Sequence, residues 1–101
     1  MGPCIRSAAT LPDPQSLALK LSLNGQVMQQ DTTAQMVFPV AALISILSKS
    51  VTLEPGDVIS TGTPSGVGFA RKPPIFLKAG DVLEAEIGGI GKLRNPVVGP
   101  D

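Results

Sequence analysis

Leu17, Leu19, Leu21 and Leu23 alternate with Ala18, Lys20 and Ser22. A period of two predicts a strand with one buried face, because successive side chains leave a pleated backbone on opposite sides. Asn24-Gly25 follows at once. That dipeptide tolerates the positive φ angles of a type I′ turn, so residues 26–30 are predicted to return antiparallel as the second arm of a hairpin. Pro39 suits the first turn of a helix carrying Val40, Leu43, Ile44 and Leu47 on one face and Ser45, Ser48 and Ser50 on the other. After Val51-Thr52-Leu53 comes Glu54-Pro55-Gly56-Asp57. There proline fixes φ and glycine takes the left-handed position, and a second strand is predicted from Asp57 or Val58 through Ile59. The same device recurs as Lys78-Ala79-Gly80-Asp81, ahead of a third strand from Val82 to Ile87 in which Leu83, Ala85 and Ile87 alternate with Val82, Glu84 and Glu86. Gly88-Gly89 breaks it, Ile90 to Leu93 pairs back, and Pro96 favours a sheet edge or a strand end. Residues 1–16, with Pro3, Pro12 and Pro14 and no sustained periodicity, read as an extended lead-in that packs along something else. The organisation expected is a lead-in at 1–16, one β-rich unit at 17–98 and a tail at 99–101. The fold class is mostly β with one short helix, α+β.

Composition bounds what this unit can do. A chain of 101 residues, 43% of them hydrophobic, supports one small core that buries about 60–65% of the unfolded surface. Lysine and arginine total 8 against 8 for aspartate and glutamate, which leaves no basic footprint for nucleic acid or an anionic membrane. With 3 phenylalanines and no tryptophan or tyrosine, the stacking platforms of single-strand binders are missing too. No apolar run is long enough to span a bilayer, and the N-terminus lacks the pattern of a signal peptide. A soluble chain is expected, in the cytoplasm or, in a eukaryote, the mitochondrial matrix. Cys4 is the single cysteine, so no disulfide forms within the chain. The absence of histidine excludes Ser-His and Cys-His nucleophile activation and any zinc site that depends on imidazole.

The candidate chemistry is concentrated in Thr61-Gly62-Thr63-Pro64-Ser65-Gly66-Val67-Gly68. Glycines there let the main chain approach a ligand closely, and a hydroxyl with backbone N–H groups suits a carboxylate. A tight surface turn accounts for the same residues. The segment is not a P-loop, for no lysine follows its last glycine, and the spaced acidic residue of a dinucleotide fingerprint is missing. Asp57 and Asp81 each close a turn, and Glu84 and Glu86 share a strand face that reads as solvated, so no metal ligand is assigned. Arg71-Lys72 reads as surface charge, and Cys4 has no activating neighbour beyond Arg6.

The order of these motifs resembles the fumarylacetoacetate hydrolase family, in the branch labelled 2-hydroxyhepta-2,4-diene-1,7-dioate isomerase or ureidoglycolate lyase. The residues that carry the resemblance are Asp13-Pro14-Gln15, Leu23-Asn24-Gly25, Gln29, Met36, Leu53 through Ile59, the Thr61 to Gly68 loop, and Leu93-Arg94-Asn95-Pro96-Val97. It implies a mixed β-roll in which magnesium or manganese polarises an oxo-acid substrate, acylpyruvate-like, for hydrolysis, decarboxylation or tautomerisation. In that family the ion is held by a Glu-x-Glu pair and an aspartate, with a lysine and a Glu-His lid, all ahead of the Gly-Pro matched by Gly2-Pro3. None of these has a counterpart here, so no cofactor site and no catalytic residue is expected in this chain. The position that carries over is Thr63, matching the threonine that hydrogen-bonds the substrate carboxylate, with Gly62 shaping its approach. The expectation is a C-terminal segment of a metal-dependent hydrolase or isomerase, inactive alone and prone to self-association or homodimerisation. The alternative is a non-catalytic β-rich interaction or dimerisation module.

Overall fold

The computed structural model describes residues 2–100; of the lead-in and the tail, Met1 and Asp101 lie outside the described residues. The leucine alternation forms β1 (Ala18–Leu23), and β2 (Gln26–Thr32) returns antiparallel beside it. Asn24 at φ 50° and Gly25 at φ 83° make the turn between them, the conformation that this dipeptide tolerates best. Strands β3 (Val82–Ile87) and β4 (Gly91–Pro96) complete a four-stranded antiparallel sheet in the order β2-β1-β3-β4.

Register makes the sheet two-faced. Leu19 pairs with Ile87, Leu21 with Ala85 and Ala85 with Leu93, so these residues share one apolar face. Lys20 pairs with Glu86, Ser22 with Glu84 and Glu84 with Arg94 on the other. On that polar face Glu84 lies 3.5 Å from Lys92 Nζ and 3.6 Å from Arg94 Nε. These are partly exposed pairs that contribute little individually.

The expected helix forms as α1 (Val40–Leu47), with Pro39 as its N-cap in extended conformation, one residue ahead of the first turn expected for it. The proline ring has no hydrogen-bonding group to cap the helix; Gln15 supplies the contact from the lead-in. Its Oε1 accepts the Val40 N–H at 2.6 Å while its Nε2 donates to Thr33 O at 2.7 Å. The lead-in is also not extended throughout. It contains a 3-10 turn at Ala8–Thr10, capped by the Ser7 hydroxyl. Arg6 donates to Gly89 O, and Cys4 Sγ lies 3.5 Å from Ile90 O. The segment therefore packs along the β3–β4 turn of its own chain.

The strand predicted at Val58-Ile59 does not form. Residues 57–60 are coil, Val58 is 70% exposed, and no backbone bond engages residues 58–60 among the described residues. Turn chemistry favours an extended backbone there, but a strand exists only where a neighbour takes its N–H and C=O groups.

Burial is sparse for so apolar a chain. Among the described residues only Met28, Ser22 and Asp81 are buried. The accessible surface is 7614 Å², against about 5,400 Å² for a compact monomer of this mass. The radius of gyration is 15.6 Å, where a compact domain of this length has about 13 Å.

Candidate functional site

The Thr61–Gly68 loop is fastened to an irregularity in β2. Leu21 pairs with Gln29 and Ser22 with Val27, so Met28 is the extra residue of a β-bulge and its carbonyl drops out of the β1–β2 ladder. The loop uses that carbonyl. Arg71 Nη2 donates to Met28 O, and Arg71 Nε donates to Gly66 O at 3.0 Å. Gly66, at φ 102°, approaches so closely that a Cβ there would collide with Met28 O. One residue along the strand, Gln29 Nε2 donates to Thr63 Oγ1 at 2.9 Å and to Pro64 O at 2.6 Å.

These contacts hold Thr61 to Pro64 at the rim of a cavity of about 610 Å³. Leu19, Leu21, Ala85 and Ile87 from the apolar face floor it, and Met36, Phe38 and Leu43 line it from the segment leading into and through α1. Gly62 sits at φ 95° with open space where a side chain would begin. Among the described residues, none of the backbone N–H groups of residues 61–66 has a partner within the chain. An exposed hydroxyl beside unpartnered N–H groups, at the mouth of an apolar cavity, can receive a carboxylate whose hydrocarbon part points inward.

Thr63 and Gly62 thus lie together at this rim. The two aspartates sit apart from it in matching turns. Asp57 Oδ2 accepts the Glu54 N–H at 2.8 Å, and Asp81 Oδ2 accepts the Lys78 N–H at 3.0 Å. Asp81 also accepts from Asn24 Nδ2 at 2.9 Å. The Asn24 amide first, and then the Lys78 N–H, hold its carboxyl below the ordinary aspartate range. Arg71 corrects the sequence expectation: its guanidinium is half-buried between two carbonyls and is not simple surface charge. Gln29 had no role assigned from sequence beyond its place in the motif. The available signal was the pair Gly66 and Gly68, since Gly68 is also pressed against a carbonyl: a Cβ there would collide with Ile75 O. Such contacts mark a loop packed against other backbone.

The residues present do not fit magnesium or manganese. Of the two acidic residues along the cavity, Asp31 and Glu86, Glu86 belongs to the polar face of the sheet, where it pairs with Lys20, and Asp31 Oδ1 already accepts the Thr32 N–H at 2.8 Å. Among the described residues no three histidine, cysteine or acidic side chains converge, short of the oxygen set a divalent ion requires.

Comparison with known proteins bears on this geometry. A family model described as fumarylacetoacetate (FAA) hydrolase, C-terminal, matches residues 1–98. The chain is 51% identical over 98 residues to the mitochondrial oxaloacetate tautomerase fahd2 of Xenopus laevis, covering 97% of this chain and 31% of that protein. The solved maleylpyruvate hydrolase from Sphingobium sp. SYK-6, in complex with manganese(II) and pyruvate, matches at TM-score 0.85 and 36% identity, over 96% of this chain and 34% of that one. The 2-hydroxyhepta-2,4-diene-1,7-dioate isomerase of Mycobacterium marinum matches at TM-score 0.74 and 45% identity, over 85% and 31%. The chain spans about a third of the length of these relatives.

Proposed function

The chain belongs to the fumarylacetoacetate hydrolase family, and from that premise we propose that it forms the carboxylate-binding wall of a hydrolase or isomerase acting on oxo acids, acylpyruvate-like ones in particular. Relatives of this chain include hydrolases and isomerases. The observation that carries the reading is the Thr63 hydroxyl, held by Gln29 at the cavity rim beside the open Gly62. Thr63 donates to the substrate carboxylate, Gly62 leaves room for it, and the apolar floor excludes water from the chain beyond. The oxo acids named in two relatives, oxaloacetate and maleylpyruvate, carry such a carboxylate.

These residues bind and orient; they do not activate. The family's magnesium or manganese has no ligand set among them, and no histidine is present to move a proton. The 101 residues on their own are therefore expected to be inactive. A cytoplasmic or mitochondrial-matrix location accords with the reading: the Xenopus relative is mitochondrial by name, and among the described residues no helix is long and apolar enough to cross a membrane. A second reading, the non-catalytic interaction or dimerisation module, is favoured by the excess of exposed apolar surface.

The test is a chimera in which residues 1–98 replace the matching segment of the Xenopus laevis relative. A hydrogen bond to a charged group contributes about 1.5–3 kcal/mol, so Thr63→Ala should raise KM about 10- to 150-fold. The bond is present in ground and transition states alike, so kcat should change far less. Thr63→Ser should restore most of the loss. Unchanged kinetics in Thr63→Ala would overturn the assignment.

A further inference from the structure

We infer that Gln29 and Arg71 are positioning residues of this site, which fasten the loop to the β2 bulge so that Thr63 presents its hydroxyl proton, and not its lone pairs, to the carboxylate. The inference rests on the reading of Thr63 as the carboxylate donor and adds what sets that donor's direction.

The orientation of the Gln29 amide decides the matter. Pro64 O is an acceptor only, so the amide atom 2.6 Å from it must be the nitrogen. The same nitrogen lies 2.9 Å from Thr63 Oγ1, and its second proton is donated there. A hydroxyl that receives a proton on one lone pair must aim its own proton elsewhere. Among the described residues Thr63 Oγ1 has no other partner, so that proton is available at the rim. An anion needs a donor, and this arrangement makes the hydroxyl one before any ligand arrives.

Arg71 fixes the frame in which Gln29 acts. Its planar fork joins Gly66 O, at the far end of the loop, to Met28 O, the carbonyl next to Gln29. Lysine would keep the charge but could not bridge two carbonyls with fixed geometry. The 3-10 turn Gly68–Ala70 continues the anchor, with Ala70 and Arg71 N–H bonded to Val67 O and Gly68 O and the Ile75 N–H also bonded to Gly68 O. The bulge, the fork and the amide form one chain of contacts from strand to hydroxyl.

The experiment compares the 101-residue chain with Thr63→Val, Gln29→Glu, Arg71→Lys and the double variant Thr63→Val/Gln29→Glu. NMR titration reads affinity for pyruvate and for its neutral ester, methyl pyruvate. Hydrogen exchange reads the Ala70, Arg71 and Ile75 amides against those of β1 and β3. Gln29→Glu is nearly isosteric, but its carboxylate accepts the Thr63 proton and turns it away from the rim. It should weaken pyruvate about tenfold or more while leaving methyl pyruvate within about twofold; the charge the variant adds would give the same selectivity, and the double variant separates the two, since charge repulsion would add to the loss in Thr63→Val. The double variant should bind pyruvate no more weakly than the weaker single, because both remove the same bond. Arg71→Lys should speed exchange at Ala70, Arg71 and Ile75 with the sheet amides unchanged, and weaken pyruvate in parallel. If Thr63→Val weakens pyruvate but Gln29→Glu and Arg71→Lys do not, the positioning role is overturned and the carboxylate reading stands. If Thr63→Val has no effect, or the unsubstituted chain gives no pyruvate-dependent shift, the carboxylate reading falls and the positioning role falls with it.

Discussion

Asp81 and Asn24 carry a contact that reaches across the sheet. Asn24 Nδ2 donates to Asp81 Oδ1, and Asn24 Oδ1 accepts the Val82 N–H at 2.8 Å. The hairpin turn is thereby tied to the start of β3. Both hydrogen bonds to Asp81 favour its charged form and depress its pKa in the folded chain. A depressed folded value means that protons bind the unfolded chain more readily. The stabilisation is therefore complete above the ordinary aspartate pKa of about 4 and is lost as pH falls through the lower folded value. The unfolding temperature should drop as the pH is taken below about 4, and Asp81→Asn should flatten that acid limb. Thermal melts from neutral pH down into the acid range measure both slopes. At this scale sequence revealed residues whose role is local. Asp57 and Asp81 were legible as turn residues because their partners lie three positions away. Gln29 and Arg71 were not, because the contacts that join loop to strand, Gln29 with Thr63 and Arg71 with Met28, span 34 and 43 residues and no periodicity encodes such contacts.

Elements divide along the same line. The β1–β2 hairpin and α1 were legible because alternation, Asn-Gly and proline act within a few residues; β3 followed from the second Gly-Asp turn, and its return strand β4 from the Gly88-Gly89 break. Val58-Ile59 carried the same turn signal and stayed coil, since pairing depends on a partner that turn chemistry does not supply. The loop after it depends on two glycines in different ways. Gly62→Ala meets open space and should lose only the cost of positive φ, about 1–2 kcal/mol. Gly66→Ala adds a collision with the Met28 carbonyl to the same strain, and should lose about 2–4 kcal/mol. Denaturant unfolding of the two variants side by side checks the order; equal midpoints would mean that the loop does not press on the bulge.

The whole molecule leaves uncovered the surface that a domain normally hides. Val58, Phe38, Ile46 and Phe76 are all more than half exposed, so apolar burial stabilises this chain less than it does a compact domain of the same length. Association that covers this surface stabilises the fold by mass action. Sedimentation should show dimers or larger species at micromolar concentration, with an unfolding temperature that falls on dilution; a monomer melting independently of concentration would favour an autonomous module. On the proposed reading these residues bind the oxo acid and supply neither a ligand set for an activating ion among the described residues nor a histidine to carry a proton. The most direct test of that reading is oxaloacetate tautomerisation and acylpyruvate cleavage by the purified 101-residue chain with excess magnesium or manganese, beside the chimera under the same conditions. The account predicts a rate indistinguishable from buffer for the chain and metal-dependent turnover for the chimera, whereas steady turnover by the chain, abolished by a chelator, would contradict it.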